Sequence, residues 1–322
     1  MNQDLQARSE TPDDCLSREP RPEGAKPHIA VCICTYKRPL PLERLLKELN
    51  RQRTDGLFTY SIVIADNDEA QSGSAAVERM RPLCAVPIRY CVQPERGIAH
   101  ARNKVVANAD GEFLAFIDDD EFPIAAWLLT LFTACGRYNV DGVLGPVRRH
   151  FDEPPPAWLG KSRLLDRRVN PTGMPLEWRK ARTGNVLLKR RVIEGDSQPF
   201  RPEFTSGEDR DFFRRKMEAG FSFIWSAEAE VFEVLPPTRW KRGYFVKRGL
   251  LNGAMETKLP DFRFRDVLKS VIAIPVYSVA LPFVLLFGQH RFMNLLFSLC
   301  CHAGRLLAAA GIHIVRGQYL TD

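Results

Sequence analysis

Three consecutive carboxylates, Asp118-Asp119-Asp120, are the residues of this chain whose types point most directly to chemistry. They follow residues 113–117 (FLAFI), a short apolar segment typical of a buried strand. Neighbouring carboxylates repel each other, and a divalent cation with oxygen ligands, Mg²⁺ or Mn²⁺, relieves that repulsion while it binds substrate phosphates. The alternative is an exposed acidic turn, in which Asp makes local hydrogen bonds. We interpret the triplet as a candidate site because it directly follows a predicted buried strand.

Polar residues also follow two earlier apolar segments. Residues 35–38 (TYKR) come after the run at 28–34, and residues 66–68 (DND) come after the run at 60–65. Ligands of parallel α/β sheets bind beyond the carboxyl ends of the strands, so these groups and the triplet are expected to meet at one edge. The chain contains neither G-x-G-x-x-G nor G-x-x-x-x-G-K-[ST], which disfavours dinucleotide and P-loop chemistry.

The segments that would position these residues alternate between strand and helix patterns. Apolar runs predict strands at residues 28–34, 60–65, 88–92, 113–117 and 142–147, and helical spacing predicts helices at 39–51, 74–80, 97–109 and 124–138. This alternation predicts an α/β domain with a parallel sheet. Residues 148–178 are loop-like, and we then expect strands at 183–188, 221–225 and 230–234 and helices at 208–219 and 240–254.

Five short motifs occur in an order that resembles a known family. They are CTYKRP at residues 34–39, Asp66, Gly97-x-x-x-Ala101-Arg102-Asn103, Asp118-x-Asp120 and Gly207-Glu208-Asp209. From about residue 29 to 240, the chain is similar to the inverting family 2 glycosyltransferases, and most of all to those of bacterial exopolysaccharide assembly, such as the succinoglycan type. The resemblance implies the GT-A fold, a Rossmann-like mixed sheet flanked by helices, and a nucleotide-diphosphate sugar as donor.

The resemblance also assigns roles to individual residues. Donor nucleotide binding is assigned to a set of residues that follow the strands: Thr35, Tyr36, Arg38, Asp66, Arg102, Asp118 and Asp119. The carboxylate of Asp66 suits uracil, whose N3 is a hydrogen-bond donor, and Arg102 would approach the diphosphate. Asp120 is assigned to the Mg²⁺ or Mn²⁺ ion, with Asp119 orienting its neighbours.

Inverting sugar transfer requires a base that removes the proton of the acceptor hydroxyl while its oxygen attacks the anomeric carbon. The resemblance points to Asp209 for this role, with Glu208 as the alternative. Ser206 and Asp209 also have the spacing of a capping box that would begin a helix. Both roles are compatible, because the N-terminus of a helix fixes the direction of a carboxylate and favours its ionised form.

Two further segments are assigned to the acceptor and diphosphate side. The resemblance places Asn185 there, although a turn before a strand explains the same residue, and it places Arg239 and Trp240 there as the end of a Gln-x-x-Arg-Trp motif. Processive polysaccharide synthases of the family carry that motif, but this chain has Pro236 at the glutamine position. The departure favours the addition of a single sugar over polymerisation.

The charge of the chain is concentrated at its end. The whole chain has 46 basic and 39 acidic residues, a net of +7, but residues 239–322 hold 12 basic and 4 acidic ones, so residues 1–238 carry a net of −1. A nearly neutral body disfavours nucleic-acid binding. Residues 270–290 then contain no Asp, Glu, Lys or Arg, and these 21 residues are about enough to cross a bilayer. Because basic flanks mark the cytoplasmic side, we expect attachment to the cytoplasmic face of a bacterial inner membrane.

The pattern of the tail allows more than one arrangement. Pro275, Pro282, Arg291 and Arg305 fit a kinked or re-entrant pair about as well as a single span, and core helices of a soluble domain are the remaining alternative. We predict three parts: a disordered polar leader at residues 1–27, a GT-A domain at 28–258 and a membrane-associated helical tail at 259–322. The cysteines lack C-x-x-C spacing, which predicts a reduced setting without a structural zinc site.

Together these features predict an inverting, metal-dependent hexosyltransferase of bacterial surface polysaccharide synthesis. It would move one sugar from a nucleotide-diphosphate sugar, expected to be UDP-linked, to a lipid-linked saccharide. A nucleotidyltransferase is the first alternative, but it normally carries a glycine-rich basic signature after the first strand, and residues 35–39 contain no glycine. The second alternative is a catalytically degenerate, membrane-tethered scaffold that binds nucleotide sugars.

Overall fold

A computed structural model describes residues 24–165, 170–204, 207–258 and 262–312, so most of the predicted leader falls outside it. Its strands are β1 His28–Thr35, β2 Thr59–Asp66, β3 Ile88–Val92, β4 Phe113–Ile117, β5 Glu121–Pro123, β6 Gly142–Leu144, β7 Val147–His150, β8 Asn185–Lys189, β9 Phe223–Trp225 and β10 Val231–Val234. Its α-helices are α1 Pro39–Leu49, α2 Ser74–Met80, α3 Ile98–Ala107, α4 Trp127–Arg137, α5 Ala157–Gly160, α6 Glu208–Glu218, α7 Arg242–Glu256, α8 Phe264–Leu285 and α9 Gln289–Ala309.

Seven strands form one mixed sheet in the order β3-β2-β1-β4-β8-β6-β9. β1 pairs in parallel with β2 and β4, whereas β8 runs antiparallel to both β4 and β6. The sheet is therefore mixed, as the GT-A resemblance implied, and the all-parallel sheet predicted from the alternation alone is wrong. The carboxyl ends of β1, β2 and β4 share one edge, and the polar residues expected to bind ligand follow these ends.

Both faces of the sheet are buried, which explains why its central strands read as continuous apolar runs. On β1, Ile29, Val31 and Ile33 pack in one core layer with the leucines of α1, and Ala30 and Cys32 pack in the other layer with residues of α3 and α6. All five β1 side chains are at most 1% exposed. The end of this strand is therefore held from both sides, which fixes the position of the residues that follow it.

The segment predicted as one strand at residues 142–147 is divided between two sheets. β6 belongs to the main sheet, and β7 pairs with β10 in a three-stranded sheet of order β5-β10-β7. Gly145 and Pro146 lie at the break: a Cβ on Gly145 would overlap the carbonyl oxygen of Ala229, and Pro146 has no N–H to donate to a ladder. The small sheet supports the acidic triplet, because Val234 donates its N–H to the carbonyl oxygen of Asp120 at 3.0 Å.

The last two helices form a hairpin, with a turn at residues 286–288 between them. Both are long and apolar enough to cross a membrane, and α8, with 22 residues, is about 33 Å long at ~1.5 Å per residue. Pro275 and Pro282 lie inside α8. The side chains of Val276, Val279 and Phe283 are 57–67% exposed, so α8 presents an apolar face that no described residue covers. This exposure disfavours the core-helix alternative.

α7 packs against α9 with close contact between the two backbones. A Cβ on Gly253 would overlap the carbonyl oxygen of Cys301, and one on Gly304 would overlap the backbone of α7. Small residues at a helix interface allow this approach, as in membrane proteins. Arg305 of α9 also pairs with Glu256 of α7. The predicted boundary between body and tail separates these two packed helices, and it stays a prediction.

Candidate active site

The acidic triplet after β4 lines a cleft of about 2230 Å³, whose wall also includes the start of α6 and parts of α7 and α9. Asp119 is 5% exposed and is held on both oxygens: Thr35 Oγ1 donates to Oδ2 at 2.8 Å, and Arg38 Nη1 donates to Oδ1 at 3.1 Å. Burial, followed by the charge of Asp120, raises the pKa of Asp119. These contacts join the end of β4 to the residues after β1, so Asp119 orients its neighbours.

Asp120 faces two guanidinium groups. Arg38 Nη1 lies 3.0 Å from Asp120 Oδ2, and Arg239 Nη1 lies 3.4 Å from the same oxygen. Arg239 also lies 3.5 Å from Glu233 Oε1. The structure thus brings Arg239, predicted on the acceptor and diphosphate side, to the carboxylate predicted to hold the metal. A diphosphate at this point would meet two cations that are already in position.

Asp118 is the most accessible carboxylate of the triplet, with a side chain that is 48% exposed. Its N–H donates to Glu121 Oε2 at 3.1 Å. A Cβ on Gly184 would lie 3.0 Å from Asp118 Oδ2 and from Glu121 Oε1, so a larger residue there would press on both carboxylates. The sequence interpretation gave Glu121 no role, although it is 4% exposed and lines the cleft. Its position directly after the triplet is the feature of the sequence from which a place in the site could have been predicted.

Two neighbouring carboxylates at the start of α6 have different partners. Glu208 is 5% exposed and forms an ion pair with Arg102, which is also buried and lies 3.8 Å from Asp118 Oδ1. Asp209 lines the cleft, and its Oδ2 lies 3.9 Å from Arg182 Nε. Because Glu208 is engaged in a buried ion pair, the geometry favours Asp209 as the carboxylate that is free to accept a proton. Arg182 was not identified from the sequence.

The backbone at the start of α6 also bears on Asp209. Gly207 precedes the helix with φ of 84°, a conformation that glycine adopts more easily than other residues. Ser206, the first residue of the predicted capping box, lies outside the described residues. Asp209 Oδ1 accepts a hydrogen bond from the N–H of Arg210 at 2.7 Å. This contact fixes the direction of the Asp209 side chain at the start of α6.

Three residues predicted to contact the nucleotide, Thr35, Tyr36 and Asp66, do not line the cleft formed by the described residues. Asp66 is fully buried and accepts hydrogen bonds from the N–H of Gly73 and the hydroxyl of Tyr90, both at 2.7 Å. Tyr36 is half-buried, and its ring centroid lies 5.6 Å from the guanidinium carbon of Arg96. Their contacts with the donor stay predictions.

Asn185 and Trp240 are held by the protein itself. The Asn185 amide donates to the carbonyls of Pro146 and Ala229 at 3.0 and 2.7 Å, and it accepts from Trp127 Nε1 at 2.8 Å. Trp240 donates its indole N–H to a backbone carbonyl at 3.0 Å. Asn185 therefore ties together the strand ends that form one wall of the cleft. A role for either residue in acceptor binding stays a prediction.

Two buried polar groups of the cleft wall make no hydrogen bond within the described residues. They are the hydroxyl of Thr183, a residue 1% exposed, and the indole N–H of Trp225, a residue 9% exposed. Both residues line the cleft. An unpaired buried polar group costs about 1–3 kcal/mol, so a polar ligand would stabilise this wall. The sequence gave no signal for Trp225, which reads as the end of an apolar strand.

The carboxylates of the triplet suit a hard divalent cation. Asp118 and Asp120 bring oxygen ligands to the cleft. Within the ranges that the structure describes, no three His, Cys, Asp or Glu side chains converge as a complete ligand set. Mg²⁺ is commonly held by one or two carboxylates together with substrate phosphates. The residues present therefore fit an ion whose coordination is completed by a diphosphate, and they do not fit an ion enclosed by protein alone.

Comparison with known proteins gives the family. The model of glycosyl transferase family 2 matches residues 30–203. The chain belongs to this family. It is also 33% identical over 234 residues to the succinoglycan biosynthesis protein ExoM of Rhizobium meliloti, which covers 72% of this chain and 75% of ExoM. The chain is thus a glycosyltransferase of the exopolysaccharide type, as the resemblance implied, and the nucleotidyltransferase and scaffold alternatives lose support.

Solved structures share its fold. The mannosyltransferase PcManGT of Pyrobaculum calidifontis, in complex with GDP-Man and Mn²⁺, matches with a TM-score of 0.54 and 18% identity over 91% of this chain and 77% of that one. Residues 1–349 of S. aureus TarS, in complex with UDP, match with a TM-score of 0.51 and 13% identity over 89% of this chain and 93% of that one. Identities this low establish the fold alone, and they confirm the predicted GT-A class.

Proposed function

We propose that this family 2 glycosyltransferase inverts the anomeric centre of a UDP-linked sugar and adds that single sugar to a lipid-linked saccharide, with Mg²⁺ or Mn²⁺ as cofactor. The observation that carries the proposal is the presence, in one cleft, of the carboxylates of Asp118 and Asp120 and the separate, accessible carboxylate of Asp209. The first two suit a metal-bound diphosphate, and the third suits proton removal. Complexes of PcManGT with GDP-Man and of TarS with UDP support a nucleotide donor.

The leaving diphosphate requires positive charge around it as its bond to the sugar breaks. Arg38 and Arg239 already lie within 3.4 Å of Asp120, so both can contact phosphate oxygens after small rotations of their side chains. Arg102 is fixed by its ion pair with Glu208 and lies beside Asp118. A divalent ion held by Asp120 and Asp118 would supply further positive charge to the diphosphate when bound.

Asp209 is proposed as the base. Its ionised carboxylate takes the proton of the acceptor hydroxyl, while the hydroxyl oxygen attacks the anomeric carbon from the side opposite the diphosphate, and this attack inverts the configuration. Arg182, whose Nε lies 3.9 Å from Asp209 Oδ2, helps to hold this carboxylate in the cleft. The unpaired groups of Thr183 and Trp225 are suited to hold hydroxyls of the sugar or the acceptor.

The C-terminal helices support a lipid-linked acceptor. The apolar face of α8 is exposed, and residues of α7 and α9 line the same cleft as the acidic triplet. A membrane that receives this face would lie next to α9, which packs against α8 and lines the cleft, and eight basic residues among residues 241–269 would face the cytoplasmic headgroups. A sugar acceptor carried by a lipid could therefore reach Asp209 without leaving the bilayer.

The test is a donor screen with the full-length protein in lipid nanodiscs. A panel of UDP-sugars is offered with a lipid-linked saccharide extract, with and without Mn²⁺, and both UDP release and the anomeric configuration of the product are measured. We expect UDP release that requires the metal and is lost in Asp120→Ala. Pyrophosphate as the product, retention of configuration, or no turnover with any donor would contradict the proposal.

A further inference from the structure

The cleft does not end at Asp209. Its wall continues along Arg248, Leu251 and Met255 of α7 and reaches Leu307 of α9. The volume of about 2230 Å³ is more than twice the ~300–1,000 Å³ of a typical small-molecule site. A nucleotide sugar at the acidic triplet would therefore leave a second compartment, which we call the tail compartment and define by the cleft residues at 248–258 and 304–312.

Two cations of the tail compartment differ from those near the triplet. Arg38, Arg102 and Arg239 each form an ion pair with a carboxylate. Arg248 and Lys258 also line the cleft and are exposed, but their side chains form no ion pair with any residue in the described part of the chain. These two cations are available to an anionic ligand, and a phosphate group is the ligand that guanidinium and ammonium groups commonly bind.

Among the other residues of the tail compartment, Glu256 and Arg305 pair with each other, and an apolar strip lies beside them. Leu251 and Leu307 form this strip, and Ile312, just after α9, extends the apolar wall and is 54% exposed. α9 also packs against α8, whose uncovered apolar face is suited to a bilayer. A ligand that matches both features has a phosphate or diphosphate group at one end and a long hydrocarbon chain at the other.

We propose that the tail compartment binds the lipid carrier of the acceptor: Arg248 and Lys258 contact its phosphate or diphosphate, and its chain leaves along Leu251, Leu307 and Ile312. This assignment rests on the proposed function, because it supplies the second substrate of that reaction. It adds a binding site that is separate from the donor site. It also gives the unpaired cations of the tail a role beyond general attraction to an anionic membrane surface.

The experiment measures binding of farnesyl diphosphate to the full-length protein in phosphatidylcholine nanodiscs by calorimetric titration, with inorganic pyrophosphate and farnesol as the two partial ligands. Arg248→Ala is compared with Lys247→Ala. Lys247 is an exposed cation one residue away on α7 that does not line the cleft, so it is a matched control. UDP affinity is measured in every variant to show that the donor site and the fold are intact.

We expect farnesyl diphosphate to bind at least about tenfold more tightly than either partial ligand, since both the phosphate and the chain contribute. Arg248→Ala should weaken this binding about fivefold or more without changing UDP affinity. Lys247→Ala should bind farnesyl diphosphate as tightly as the natural protein.

Displacement of farnesyl diphosphate by UDP would overturn the proposal, because the two would then share a site. Equal losses in the two variants would also overturn it, since they would indicate general surface charge. Metal-dependent UDP release without farnesyl diphosphate binding would refute this site alone, whereas binding without any sugar turnover would refute the proposed function alone.

Discussion

The two ends of the cleft differ in how fully their cations are paired with carboxylates. Near the acidic triplet, Arg38 and Arg102 are paired with carboxylates, and burial of Arg102 and Glu208 leaves little exposed charge. In the tail compartment, Arg248 and Lys258 have no carboxylate partner among the described residues. The difference explains the charge distribution of the chain, whose body is nearly neutral while its last quarter carries the excess. Paired charges build the donor end, whereas the membrane end combines the Arg305–Glu256 pair with two cations that have no carboxylate partner among the described residues.

The largest expected effect tests the buried ion pair near the acidic triplet. Arg102→Ala removes one partner of a buried ion pair and leaves Glu208 as an uncompensated charge, which should lower the free energy of unfolding by about 3–5 kcal/mol. Arg182→Ala is the control, because that side chain is 45% exposed and lies 3.9 Å from its carboxylate, and it should lower stability by less than about 1 kcal/mol. Urea unfolding followed by circular dichroism gives both values. Similar small losses in the two variants would show that the donor end is not held by buried charge.

A smaller effect is expected at the membrane end. Val279 is 67% exposed on α8, so Val279→Lys should leave the fold intact but place a charge in the bilayer at a cost of about 2.5–3.5 kcal/mol. The fraction of protein that sediments with phosphatidylglycerol vesicles should fall, whereas Val279→Leu should sediment like the natural protein. If Val279→Lys instead unfolded the protein and left its sedimentation with vesicles unchanged, Val279 would pack against protein. The tail would then not be a membrane-binding end of the cleft.

The smallest effect concerns the wall between the two ends. Thr183→Val removes a buried hydroxyl that has no described partner, so stability should not fall, but KM for a sugar substrate should rise about fivefold through loss of one hydrogen bond of ~1 kcal/mol. Thr130→Val is the control, because the Thr130 hydroxyl donates to the carbonyl of Ala126 at 2.7 Å within α4. That variant should change stability slightly and leave KM unchanged. An unchanged KM in Thr183→Val would remove this residue from the site.

The sequence predicted the local elements better than their pairing. β3, β4 and α2 have the predicted bounds, because short apolar runs and helical spacing are local patterns. The division of residues 142–147 between two sheets was missed, since it depends on the close approach of Gly145 to Ala229, far along the chain. The antiparallel direction of β8 likewise depends on the loop before it, whose composition carries no directional signal.

The same limit applies to the candidate site. Motif order placed Arg102, Asp120 and Asp209 in one cleft, and the structure brings them there. It did not show that Arg239 would contact Asp120, because those residues are far apart in sequence. Nor did it show that the oxygens of Asp66 are already engaged, because their donors come from a separate loop and strand. Which carboxylate is free and which is paired is decided by these long-range contacts.

The most direct test of the account is the rate of sugar transfer by Asp209→Asn at saturating donor and acceptor. Asparagine keeps the shape of the side chain but cannot accept the proton, so kcat should fall by about 10²–10⁴-fold while UDP affinity and the unfolding midpoint stay unchanged. The activity of Asp209→Asn would then identify Asp209, the carboxylate outside the buried Arg102–Glu208 pair, as the base. A kcat within about threefold of the natural protein, with normal UDP binding, would contradict that assignment.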